Sequence, residues 1–140
     1  MVNHMPDGSA NMYAISSADA PPPGGHYSQA VVHGGLVYVS GQLPVVSGKP
    51  HDPSAPFETQ VRHALANLSA VLAASGSSLD RVLKLSAYIV GAANWPTFNT
   101  IYAQVLGAAR PARSVIPVPE LHYGYLVEID AVAMQEKIHE

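Results

Sequence analysis

The chain has 140 residues, 48% hydrophobic and 12% charged, with seven Lys and Arg against ten Asp and Glu, a formal net charge of −3. That length fits one domain with a sizeable core, and the acidic balance lacks the basic stripe of a nucleic-acid binder. The absence of cysteine excludes disulfides, a thiolate nucleophile and thiol metal ligands. No apolar run is long enough to cross a bilayer, and no basic-then-apolar leader opens the chain. A cytoplasmic protein with no membrane and no nucleic-acid partner is therefore expected. Sparse charge on a small apolar chain also points to surface covered by other subunits.

Residues 1–25 carry few large apolar side chains and end in Pro21-Pro22-Pro23-Gly24-Gly25. They are expected to form a flexible extension and lead-in, with a single domain over 26–136. Within the lead-in, Met12-Tyr13-Ala14-Ile15 has the composition of a short edge strand. Two β-like runs follow, at 27–32 and 36–40, joined by a hairpin through His33-Gly34-Gly35. Ser40-Gly41-Gln42 closes the second run, where a glycine lets a ligand approach backbone N–H groups. Residues 44–56 read as a loop.

Phe57–Ala74 is the clearest helix, with Val61, Ala64, Leu65, Leu68, Val71 and Leu72 on one face. Pro56 suits its first turn and Gly76 its stop. Residues 81–90 alternate as a strand, with Leu83, Leu85, Ala87 and Ile89 on one side. Asn94 is expected to cap a second helix that turns Trp95, Phe98, Tyr102, Val105 and Leu106 inward and stops at Gly107. Strands at 114–118 and 125–133 complete the order β-β-α-β-α-β-β, an α+β sandwich with both helices on one sheet face.

Arg113 and Glu128 carry the most chemistry. A guanidinium grips a carboxylate or phosphate with two prongs, and a carboxylate on a mostly apolar strand has either a partner or a task. Two arrangements fit equally well: the two residues pair with each other or with neighbours, or both line a site. Asn99, beside Phe98, either bonds the end of a neighbouring strand or points into a cleft. On the last strand Glu128 and Asp130 share a face, so one is expected at a pocket and the other at the surface. The seven histidines lack metal-ligand spacing, and no phosphate-cradling glycine pattern or nucleophile elbow appears. No metal is expected.

Tyr27-Ser28-Gln29-Ala30, Val39-Ser40-Gly41-Gln42-Leu43-Pro44, Phe98-Asn99-x-x-Tyr102, Pro111-Ala112-Arg113-Ser114 and Val127-Glu128-Ile129-Asp130-Ala131-Val132-Ala133 follow one another at family-like spacing. In these motifs the chain resembles the Rid (YjgF) family over about 27–133. The resemblance implies a chorismate-mutase-like (YjgF-type) fold assembled as a homotrimer, with ligand clefts between adjacent subunits. It implies deamination of 2-enamino and 2-imino acids to 2-oxo acids and ammonia, with no cofactor or metal. The family's carboxylate-binding arginine falls on Arg113 and its water-positioning glutamate on Glu128. Tyr27, Ser40 and Asn99 fall on substrate-contacting positions, and Gly41 would supply a backbone donor.

Three departures bear on substrate range. Val115 stands where many members have a cysteine, which makes the cleft wall more apolar. His26 replaces a common proline. The loop 117–125, with His122, Tyr123 and Tyr125, departs from the family archetype and would favour a bulkier or less polar ligand. Alternatives on the same scaffold are a non-catalytic small-carboxylate binder or sensor and a pathway-specific deaminase of the 2-aminomuconate type. Ribonuclease action, also attached to the family, conflicts with the acidic charge.

Overall fold

A computed structural model describes residues 12–136 of the chain. Its six-stranded sheet comprises β1 (Met12–Ile15), β2 (Ala30–His33), β3 (Leu36–Gln42), β4 (Val82–Val90), β5 (Ala112–Val118) and β6 (Val127–Met134). The spatial order is β1-β2-β3-β6-β4-β5. All neighbours are antiparallel except β4 and β5. A parallel pair needs a crossover, and helix α2 (Trp95–Leu106) provides it. Helix α1 (Phe57–Ala74) carries the chain from β3 to β4, leaving a gap that β6 fills.

Strand alternation decides which face is buried. Val37 and Val39 of β3, Leu85, Ala87 and Ile89 of β4, and Val127, Ile129 and Ala131 of β6 pack toward the helices. Against them α1 sets Val61, Leu65, Leu68 and Leu72, and α2 sets Phe98, Ile101 and Leu106. The opposite face of the sheet carries no helix. Helix α1 ends as its sequence predicts: Gly76 takes φ 73°, and Ser77 N–H reaches back to Leu72 O at 2.8 Å.

Several elements differ from the sequence reading. Met12–Ile15 joins the sheet as the expected edge strand, whereas Ala20, in the segment taken as a flexible lead-in, is buried in the core. The expected flexibility of residues 1–11 falls outside the described residues. Tyr27 to Gln29 precede strand β2 instead of opening it: Tyr27 N–H bonds to Gly25 O, and the buried Gln29 amide donates to Pro21 O. Local bonding there largely takes the place of ladder pairing, which past Ala30 continues only in the Ser40 N–H bond to Gln29 O. Leu83 is exposed, because a register shift between Val82 and Lys84 against β6 breaks the alternation. Asn94 makes no side-chain cap; its amide bonds Val90 O at the strand end, and a short 3-10 turn leads into α2. Trp95 is 47% exposed and not core.

Gln60 is a polar residue that apolar spacing overlooks. It is 1% exposed on α1; its amide donates to Pro53 O at 3.0 Å and Ala55 O at 2.9 Å, and its carbonyl accepts Leu126 N–H at 2.9 Å. One side chain thus ties the loop before α1 to the entry of β6. Gln60→Leu is expected to cost about 3 kcal/mol, since buried backbone groups lose their partners. Urea denaturation checks this; a change below about 0.5 kcal/mol would mean those groups are satisfied elsewhere.

Candidate functional site

Glu128 lies on β6 between the fully buried Val127 and Ile129, so its side chain projects from the helix-free face. Beside it on β3 is Gly41, and a Cβ built there would overlap the Glu128 carboxylate. Glycine at this position lets the carboxylate lie against the neighbouring backbone, from which any larger residue would displace it. Burial raises the Glu128 carboxyl above its ordinary value; the His122 charge opposes that rise and the Asp130 carboxylate adds to it. Asp130, two residues on, accepts a hydrogen bond from Tyr88 OH at 2.9 Å. The two acids share a face but not an environment.

A cavity of about 430 Å³ opens over Glu128, lined also by Tyr27, Ser40, Gly41, His122 and Tyr123. Ser40 is fixed there: its hydroxyl donates to Ser28 O at 2.6 Å, while its N–H pairs with Gln29 O. The serine oxygen keeps lone pairs for a donor. Tyr27 is half exposed, and its hydroxyl accepts Gly24 N–H at 3.3 Å.

Arg113 sits elsewhere. On the edge strand β5 it pairs in register with Leu85, a fully buried residue of the helix-facing side. Its Nη1 donates to Asn99 Oδ1 at 3.0 Å, and the guanidinium lies over the Tyr102 ring at 4.9 Å and the Phe98 ring at 5.9 Å. Burial raises the Tyr102 phenol, opposed by the Arg113 charge, and its hydroxyl is buried without a hydrogen-bond partner. Val115, two positions on, lines a separate cavity of about 280 Å³ with Trp95, Ile89 and Pro117.

The nominated residues therefore fall into two groups on opposite faces of the sheet. Tyr27, Ser40, Gly41 and Glu128 share one cavity; Arg113, Asn99 and Val115 gather along β5 and α2. Arg113 and Glu128 do not pair. Asn99 is exposed, and its contact is with the guanidinium of Arg113 near the start of β5. Sequence reasoning missed Trp95, taken as core, and His51, taken as loop. The His51 ring stacks on Tyr123 with centroids 3.9 Å apart. An aromatic residue before Pro96, at the first turn of a helix, was the available sign that Trp95 sits at a helix end. Among the described residues no group of three or more His, Cys, Asp or Glu is arranged to hold a metal ion, and no helix is long and apolar enough to cross a membrane.

Known proteins with this arrangement are numerous. The family model described as Endoribonuclease L-PSP matches residues 17–135. A 2-iminobutanoate/2-iminopropanoate deaminase of Dermatophagoides farinae is 34% identical over 87% of this chain and 95% of its own. A RutC family protein of Pyrococcus horikoshii is 34% identical over 87% and 97%. The crystal structure of E. coli TdcF with bound serine superposes with a TM-score of 0.83 at 31% identity, covering 89% of this chain and 99% of that one. With the motifs, the mixed sheet and these relatives in agreement, the chain belongs to the Rid (YjgF) family, whose model carries the endoribonuclease L-PSP description.

Proposed function

We propose that this protein hydrolyses 2-imino and 2-enamino acids to 2-oxo acids and ammonia, in a site that joins the Glu128 cavity of one copy to the Arg113 edge of another. The observation that carries the reading is the separation of an acid and a carboxylate-seeking cation onto opposite sheet faces. Each half is ordered and neither is complete. A relative named for 2-iminobutanoate and 2-iminopropanoate supports the substrate class, and the serine bound by TdcF, itself a carboxylate, supports the anchor.

In this reading Arg113 holds the substrate carboxylate with two parallel N–H donors. Asn99 and the Tyr102 face hold the guanidinium flat without neutralising it, so the full charge is available to the ligand. Gly41 N–H adds a further donor, and Val115 forms part of the wall. The iminium carbon is then placed over Glu128. Water adds to that carbon, Glu128 takes one of its protons, and a carbinolamine forms. Glu128 returns that proton to the amino nitrogen, the C–N bond breaks as the hydroxyl gives its proton to Glu128 and becomes the carbonyl, and the ammonia takes this last proton and leaves as ammonium. A carboxyl whose affinity for protons is raised by burial suits both halves of that transfer. Tyr27 and Ser40 orient the carbinolamine oxygen. The reaction asks for little more, because a protonated imine is already electrophilic.

The endoribonuclease description attached to the family model favours an RNA substrate instead. Seven basic against ten acidic residues give such a substrate no net positive charge to attract its phosphates.

The direct test generates imines from amino acids with an oxidase and traps the remainder with semicarbazide. Wild type is expected to accelerate imine loss; Arg113→Ala is expected to lower kcat/KM about a hundredfold. Glu128→Gln is expected to keep 2-oxo acid binding and lose turnover by roughly 10² or more. Binding without acceleration by the wild type would make the protein a carboxylate sensor. Full activity of Arg113→Ala would remove the anchor.

Glu128 also makes a stability prediction with a definite sign. Its carboxyl is raised in the folded chain, so folding favours the protonated form. That contribution is fully present below the ordinary glutamate range and is lost as pH rises through the raised value. Glu128→Gln is therefore expected to melt higher than wild type at neutral pH, with the difference shrinking toward about pH 4. Paired thermal melts across pH check this; a variant less stable at pH 7 would show that the carboxylate is paired in the native state.

A further inference from the structure

Tyr123 is the only non-glycine residue with positive φ among those described, at φ 63°. A residue with a Cβ resists that conformation, so the surroundings must impose it. They do. The Tyr123 ring stacks on His51 at an interplanar angle of 15°. His51 Nδ1 is hydrogen-bonded to Tyr125 OH at 3.1 Å, and Tyr125 is 2% exposed. Tyr125 OH also accepts Asp52 N–H at 3.2 Å, and a Cβ on the following Gly124 would touch Pro53. The loop thus holds a strained aromatic residue rigidly, yet leaves it 53% exposed, where it adds little to the core.

The position of that ring is informative. A second cavity of about 300 Å³ adjoins the one over Glu128, within the size range of small-molecule pockets. Gly24, Tyr27, Gly41, Leu43 and Tyr123 line both, so the two spaces adjoin. Away from the shared rim, Pro21, Pro22, Pro23, Val45 and Val46 form an apolar wall of the second cavity, and Gln29, Gln42, Ser47, Lys49 and His51 form a polar one. Two half-exposed tyrosines, Tyr27 and Tyr123, stand on the boundary the two cavities share.

From this geometry we infer that the second cavity is the subsite for the substrate's side chain, with Tyr123 and Tyr27 as its aromatic mouth. The protein then prefers 2-imino acids bearing branched or aromatic apolar side chains over the one- and two-carbon side chains of 2-iminopropanoate and 2-iminobutanoate. The inference rests on the proposed deaminase reading for its reacting group, but the subsite itself is a statement about binding. A rigid, pre-formed aromatic wall stabilises an apolar group without ordering costs, and each added methylene there contributes a measurable factor in selectivity.

The experiment has two arms. In the first, kcat/KM is measured with imines generated from alanine, leucine, phenylalanine and glutamate. In the second, calorimetry compares pyruvate, 4-methyl-2-oxopentanoate, phenylpyruvate and 2-oxoglutarate as ligands. The leucine and phenylalanine series should exceed alanine by tenfold or more in both arms. Tyr123→Gly, which keeps the positive φ while removing the ring, should lower the leucine-to-alanine ratio by about tenfold. Val46→Phe, which fills the second cavity, should lower it as well. Equal or better use of alanine, a preference for glutamate drawn by Lys49, or ratios unmoved by both variants would overturn the subsite. If no imine is hydrolysed while the binding preference and its loss in the variants persist, the deaminase reading fails and the subsite stands.

Discussion

An extended strand sends successive side chains to opposite faces, and the two α-helices among the described residues cover only one of them. Val127, Ile129 and Ala131 are thereby committed to the core, and Glu128 and Asp130 to the open face. The parallel register of β4 with β5 commits Arg113 and Val115, conversely, to the side of Leu85 and Ala87. A slip of one residue in either pairing would reverse these assignments and expose the core, so burial of the apolar rows fixes where the functional groups point. The chain cannot bring its acid and its cation together by side-chain motion alone. The open face also presents Tyr38 and Met134, both substantially exposed, as a surface of the kind that association with further copies covers.

Each half of the proposed site shows a different way of keeping a charge available. Glu128 is held against the backbone of Gly41, half buried, with its proton affinity raised by the loss of water. Arg113 is supported by a neutral amide and an aromatic face in place of a carboxylate, which keeps the guanidinium charge uncompensated within the chain. A partner carboxylate would have consumed the same donors that a ligand carboxylate needs. The loop from His51 to Pro53 then ties the rim to the scaffold, through Tyr125 OH and the buried Gln60 amide. Rigidity in that loop comes from side-chain anchoring, because it has no ladder of its own.

The helices and the succession of elements along the chain were legible in the sequence because their signals are periodic: apolar spacing along α1, alternation along β6, and Gly76 at the helix stop. The family motifs also brought out Arg113, Glu128, Asn99 and Gly41, whose local partners the structure supplies. What stayed hidden depends on contacts distant in sequence. The register shift at Leu83 is set by pairing with β6, which composition does not reveal. The bend before β2 depends on Gln29 bonding back to Pro21. Nothing in the spacing of Arg113 and Glu128 shows that they lie on opposite faces, because that requires knowing that β5 runs parallel to β4 and that β6 lies on the far side of β4.

The composite site is best tested by mixing two inactive proteins. Arg113→Ala and Glu128→Gln chains, unfolded together and reassembled, would place an intact Glu128 cavity against an intact Arg113 edge in some junctions. For statistical mixing in a closed ring of three, about one quarter of wild-type imine hydrolysis should return, while each variant reassembled alone stays inactive. No recovery from fully mixed, correctly folded assemblies would contradict the account, because it would mean that both groups must come from the same chain.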